Sequence, residues 1–239
     1  MLTSNAAAKT PSNAKDSLKS RGFFITLEGI DGSGKTTQFR RLVQYLRRRG
    51  YKVRATREPG GTPLGEKVRA MLLASQDHLS PLTELALFYA ARAQHIEDVI
   101  RPALERGEVV VSDRFNDCSF VYQGYARGLG PGVVRLLDRA ICGALQPDLT
   151  LVLDLDERVA LERAFRRESR RGAKQSRFEA EGLEFQERVR QGYRALARRE
   201  PERVHLIAAD QRPKEVEAEI QRVVDEKLRR QKSEIRGLE

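Results

Sequence analysis

Ten consecutive residues constrain this chain more than any other stretch: Glu28-Gly29-Ile30-Asp31-Gly32-Ser33-Gly34-Lys35-Thr36-Thr37. Gly29 to Thr36 fits the phosphate-loop pattern G-x-x-x-x-G-K-[ST] at every position. Gly29, Gly32 and Gly34 permit backbone angles that a Cβ would forbid. Successive N–H groups can then turn inward as an anion nest. Lys35 supplies a point charge for β and γ phosphates, and Thr36 a hydroxyl for Mg²⁺. The flanks suit the motif. Phe23 to Leu27 reads as a buried strand, and Phe39, Leu42, Val43 and Leu46 recur at helical spacing after it. Strand, loop and helix in that order predict a nucleoside triphosphate site.

The rest of the chain agrees with one domain around that site. Its 239 residues suffice for a sizeable core. A net charge of +10 implies an anionic partner without choosing among nucleotide, nucleic acid and membrane. No apolar run reaches membrane-spanning length. Cys118 and Cys142 are too few for a disulfide framework, and His78, His95 and His205 lack metal-ligand spacing. A reduced, cytoplasmic protein is expected. Residues 1–20 bury almost nothing and are expected to be disordered, with too little Arg for a transit peptide. The domain is expected over 21–228, followed by a charged C-terminal tail, 229–239, with fraying expected from about Glu226.

Further strands are expected at Tyr51–Thr56, Glu108–Ser112, Leu149–Leu155 and Val204–Ala208. Helices are expected at Gly65–Ala74, Leu82 to about Leu104, Pro131–Leu145, Glu179–Arg198 and a last amphipathic segment through Leu228. In the Pro131 helix, Leu136, Leu137, Ala140 and Ile141 are the expected buried stripe. This alternation predicts an α/β, three-layer α/β/α fold with a five-stranded parallel sheet and helices on both faces. Ligands of such sheets bind at the carboxyl ends of strands. Arg57 and Glu58 leave one such end. Asp113, at the tip of a Val-rich strand, suits a magnesium-side acid, with Arg114 beside it for a second phosphate. Phe88 and Arg92 share a helix face and could hold a planar base. Their plainer reading is a core Phe with an Arg snorkelling to solvent. Between Arg158 and Arg177 lie eight basic residues against two acids, +6 of the chain's charge. They read as a mobile basic lid, about 166–178, over a nucleotide's phosphates.

These stretches together resemble thymidylate kinases of bacterial type, in the P-loop nucleoside monophosphate kinase group. The resemblance rests on E-G-I-D-G-S-G-K-T-T, T-R-E-P-G-G-T, L-F-Y-A-A-R, S-D-R-F, Y-Q-G-Y-A-R-G-L, L-D-L-D and R-F-E-A-E-G-L-E-F. It implies γ-phosphoryl transfer from MgATP to dTMP, and a homodimer packed through helices. By the same resemblance Gly29 to Thr37 hold ATP, and Thr36 and Asp113 the metal. Asp31 approaches the dTMP 3′-hydroxyl. Arg57 and Arg114 hold the dTMP phosphate. Phe88 stacks on thymine, Arg92 donates to its carbonyl, Ser119 and Gln123 lie near the base, and Tyr122 disfavours a ribose. Lys35, Asp31, Arg114, Arg171 and Arg177 form the implied catalytic set. Relatives with arginine at the Gly32 position differ; here the lid supplies the arginines. Two departures stand out: Ser176-Arg177 replaces an Asp-Arg pair, and the lid is one residue longer after Gly172. The catalytic arginine among Arg167, Arg171 and Arg177 is thus left open. Phe115 also stands where tyrosine is commoner.

The implied reaction wants many cations and no catalytic histidine, which is the composition seen. A deoxynucleoside kinase would have little use for Arg57 and Arg114. A GTP-dependent switch needs N-K-x-D, and none of Asn5, Asn13 and Asn116 precedes Lys. A nucleic-acid-stimulated ATPase would want aromatics among the basic residues, where only Phe165 and Phe178 occur.

Overall fold

A computed structural model describes residues 22–74, 79–171 and 181–236. Residues 1–20 and most of the expected lid, Arg177 included, lie outside the described residues. Five strands, β1 (Phe23–Glu28), β2 (Val53–Arg57), β3 (Val109–Asp113), β4 (Leu149–Asp154) and β5 (Val204–Ala208), pair in the order β2-β3-β1-β4-β5. Every pairing is parallel. The fold is therefore the expected α/β/α sandwich.

β1 runs through the middle and is buried at every residue. Phe23, Ile25 and Leu27 join one apolar cluster, while Phe24 joins the other. On the first face lie α1 (Lys35–Arg48) and the last helix, α9 (Pro213–Arg236). Gln38 donates to the Pro213 carbonyl, Arg41 pairs with Glu217 and the Tyr45 hydroxyl donates to Asp225, tying these two helices together. On the other face are α3 (Pro81–His95), α4 (Arg101–Glu105) and α6 (Pro131–Ile141). Among the described residues the remaining α-helices are α2 (Pro63–Ala74), α5 (Asn116–Ser119), α7 (Glu157–Arg171) and α8 (Leu183–Arg199), and a π-helical segment, Phe120–Ala126, follows α5.

Three expectations change. The single long helix from Leu82 is α3, then a wide π turn, Ile96–Ile100, then α4. Pro102 has no amide hydrogen for the helical ladder, and the wider turn lies immediately before its segment. In α6 the inward stripe is Val134, Leu137, Asp138 and Ile141, whereas Leu136 is 70% exposed and Ala140 is also exposed. Asp138 turns inward because it accepts from Asn116, Gln146 and the Tyr89 hydroxyl. Last, α9 continues to Arg236 where fraying was expected. Arg230–Glu234 and Arg222–Glu226 pair at i,i+4 along it, and Lys232 reaches the Tyr51 hydroxyl.

Candidate active site

The carboxyl ends of β1, β3 and β2 lie side by side, with Leu27 opposite Asp113 and Asp113 opposite Arg57. The phosphate loop leaves β1 and feeds α1, as the motif requires. Gly32 has φ +86°, and a Cβ there would stand 2.0 Å from the Ala160 carbonyl oxygen of α7. The loop thus packs directly on the helix that leads into the basic stretch. An arginine at this position would need α7 to move, which is a physical reason for the loop to carry glycine.

Lys35 is buried, and its ammonium donates to the Gly29 and Ile30 carbonyls at 2.9 and 2.8 Å and to Asp31 at 3.4 Å. Asp31 also accepts from Arg114 Nη2 at 2.8 Å. Burial would raise the Asp31 carboxyl, but Lys35 and Arg114 outweigh it and hold it at about 2. One carboxylate therefore joins a cation of the phosphate loop to a cation at the end of β3. Asp113 Oδ1 is buried and has no hydrogen-bond partner among the described residues. Thr36 is exposed in the first turn of α1.

The base side is built behind these groups. Arg92 is fully buried, which corrects the snorkelling alternative. Its Nε donates to Glu58 at 2.8 Å, Nη1 to Ser119 Oγ at 3.2 Å and Nη2 to the Phe115 carbonyl at 2.9 Å. Glu58 is also buried and meets His95 Nδ1 at 2.9 Å. Burial raises the Glu58 carboxyl, yet Arg92 and His95 hold it below the ordinary range. The Glu58 loop is packed onto that histidine: Gly61 has φ +77°, and a Cβ there would meet His95 Nε2 at 2.6 Å. Phe88 stands one helical turn before Arg92 and is 7% exposed. Gln123 donates to the buried Glu84 at 2.7 Å, and its Oε1 has no partner among the described residues. Tyr122 accepts from Arg114 Nη2 at 3.2 Å through its hydroxyl.

The structure thus brings together Asp31, Lys35, Arg114 and Tyr122, and separately Arg92 and Ser119. Arg57 is not drawn to Arg114; its guanidinium pairs with Glu66 at 2.9 and 3.0 Å. Arg171 closes α7, its side chain outside the described residues. Sequence reasoning missed Glu28, Tyr193 and Arg69. Arg69 donates to the Pro59 carbonyl, and burial and the nearby Arg57 lower its affinity for its proton. For Glu28 there was a signal, an acid ending a strand otherwise buried on both faces.

A parallel sheet with a phosphate loop leaving its central strand, and an arginine just past the end of the neighbouring strand, places the chain among P-loop nucleotide-binding proteins. The family comparison narrows this class. The chain belongs to the thymidylate kinase family, whose model matches residues 27–220. It is similar to thymidylate kinase of Desulfovibrio desulfuricans, 50% identical over 210 residues, covering 87% of this chain and 97% of that one. The thymidylate kinase of Desulfosudis oleivorans is 52% identical over 189 residues, 78% of this chain and 88% of that one. A crystal structure of thymidylate kinase from Ehrlichia chaffeensis matches with a TM-score of 0.70 at 35% identity, covering 86% of this chain and 99% of that one.

Proposed function

We propose that this chain acts as its family is named. It transfers the γ-phosphoryl group of ATP to dTMP, giving dTDP and ADP, a step toward dTTP. The observation that carries the reading is that Asp31 accepts from Arg114, just past the end of β3, at 2.8 Å and from Lys35 at 3.4 Å, which puts two cations beside one another. In this reading Gly29 to Thr37 hold ATP, and Arg57 and Arg114 hold the dTMP phosphate. Phe88 stacks on thymine, Arg92 donates to its carbonyl, and Ser119 and Gln123 lie at its polar edge. Tyr122 stands against the sugar.

The attacking phosphate oxygen needs no general base, because the second pKa of a phosphomonoester is about 6. The obstacle is the approach of two polyanions, so the work is neutralisation and alignment. Arg171 and Arg177 act on the transferred group, a role worth on the order of 10³–10⁵ in rate for an arginine finger. Mg²⁺ belongs to the same proposal, and the residues fit it: Asp113 Oδ1 is a buried oxygen with no hydrogen-bond partner among the described residues, and Thr36 is exposed at the start of α1. When bound it supplies charge neutralisation between the β and γ phosphates. Asp113 and Thr36 would hold the ion together with phosphate oxygens and water.

The test is ADP release from MgATP with dTMP, dUMP, dCMP, UMP and thymidine offered in turn. Fast turnover with dTMP, weaker with dUMP and near zero with thymidine is expected. Turnover with thymidine moves the reading to a nucleoside kinase, and turnover that responds only to added DNA moves it to an ATPase. We read the assembly as a homodimer packed through helices. Leu64 and Met71, seven apart on α2, are 44% and 57% exposed. Sedimentation velocity of the chain and of Met71→Asp checks this. The cytoplasmic reading draws on Cys118 and Cys142, both free and buried. Among the described residues no helix is long and apolar enough to cross a membrane.

A further inference from the structure

We propose that Glu28 is a positioning residue for Arg114, acting through the backbone turn at Arg114–Phe115 and through the Tyr193 hydroxyl. Arg114 is the one non-glycine residue with positive φ, +72°, among the described residues. L side chains avoid that region, so the surroundings must hold it there. Three hydrogen bonds do so. Arg114 N donates to the Leu27 carbonyl at 3.0 Å, Ser112 Oγ donates to the Arg114 carbonyl at 2.7 Å, and Phe115 N donates to Glu28 Oε1 at 2.9 Å.

The other Glu28 oxygen aims the side chain. Oε2 accepts from the Tyr193 hydroxyl at 2.6 Å and lies 3.9 Å from Arg114 Nη1. The same Tyr193 oxygen accepts from Arg114 Nη1 at 3.4 Å. Glu28 is fully buried, so it contacts solvent and ligands only through these neighbours. Both of its oxygens are committed around one arginine, one to the turn and one to the guanidinium. An acid needed only to close the end of β1 would have no reason to meet Tyr193, 165 positions later in the chain.

The inference rests on the reading of Arg114 as holder of the dTMP phosphate, and the experiment separates the two. Steady-state kinetics of the full chain are measured for Glu28→Gln, Tyr193→Phe, Arg114→Ala and the Glu28→Gln/Arg114→Ala pair. Glu28→Gln is expected to raise KM for dTMP about tenfold or more, while KM for ATP moves less than about twofold. Tyr193→Phe shifts KM for dTMP in the same direction by less. The double variant matches Arg114→Ala alone, since the two changes remove one function. An unchanged KM for dTMP in Glu28→Gln, equal rises in both KM values, or additive effects in the double variant overturn the positioning role and leave Arg114 in place. An Arg114→Ala variant that binds dTMP normally overturns the Arg114 reading itself, and the role of Glu28 with it. Where Glu28→Gln does not fold, Tyr193→Phe, which loses a single hydroxyl, decides by the same split.

Discussion

Two arginines of the site are each paired with a glutamate of the segment that follows β2, under opposite conditions. Arg92 and Glu58 meet at 2.8 Å with side chains 0% and 3% exposed. Arg57 and Glu66 meet at 2.9 Å with side chains 52% and 46% exposed. The first pair is locked. Both ions have left water, so each depends on the other and on Ser119, His95 and the Phe115 carbonyl for its remaining bonds. The second pair is loose: water screens it, and an incoming phosphate can take Arg57 at little cost. In the proposed reading the difference divides the labour of recognition: a neutral base offers few strong contacts, so Arg92 is fixed beforehand, whereas a phosphate dianion can draw Arg57 from an exposed carboxylate.

The sharpest way to break the contrast is Glu58→Gln. Removing one partner of a buried pair strands the other, and a loss of about 3–5 kcal/mol is expected in chemical denaturation, with weaker dTMP binding. Acid adds a second probe of the same group. The Glu58 carboxyl is held below its ordinary 4.5, so its contribution is present above that value and is lost as pH falls below it. Wild-type stability should therefore decline below pH 4.5 more steeply than that of Glu58→Gln. Glu28 acts in the opposite sense. Burial pushes its carboxyl up to about 7 against the pull of Arg114, so its contribution is full below 4.5 and is lost as pH rises through 7. Stability curves of Glu28→Gln should be flatter across that window.

The exposed pair should barely register. Glu66→Gln is expected to change stability by less than about 1 kcal/mol and to leave KM for dTMP no higher, because Arg57 is released rather than lost. A loss comparable to that of Glu58→Gln would erase the distinction. The smallest effect is that of salt. Raising NaCl to about 1 M should abolish the difference between wild type and Glu66→Gln, and leave that between wild type and Glu58→Gln in place.

Much of this site is legible along the chain. The phosphate loop depends on backbone freedom and a lysine at fixed spacing, both local. Asp113 and Arg57 are readable as strand-end residues, because a run of valines or an alternating segment declares where a strand stops. The roles of Arg92, Leu136 and Asp138 are not. Helical spacing puts Phe88 and Arg92 on one face but is silent on whether a carboxylate waits behind them. In α6 it favours the leucines, yet Asp138 displaces Leu136 from the inward stripe because Asn116, Gln146 and Tyr89 converge on it.

By itself the sequence determined the parallel α/β frame, the phosphate loop on its first strand and the cations at the strand ends. Each follows from residue types within one element and its flanking turn. Tertiary structure alone decided which acid holds which arginine: Glu58 with Arg92, Asp31 and Glu28 with Arg114, Glu84 with Arg127. It also decided that Gly32 must be bare, because only packing brings Ala160 of α7 against the loop. The physical reason is range. Hydrophobic period and backbone strain act over a few residues, whereas a buried charge pair forms only after distant elements have excluded water from between them.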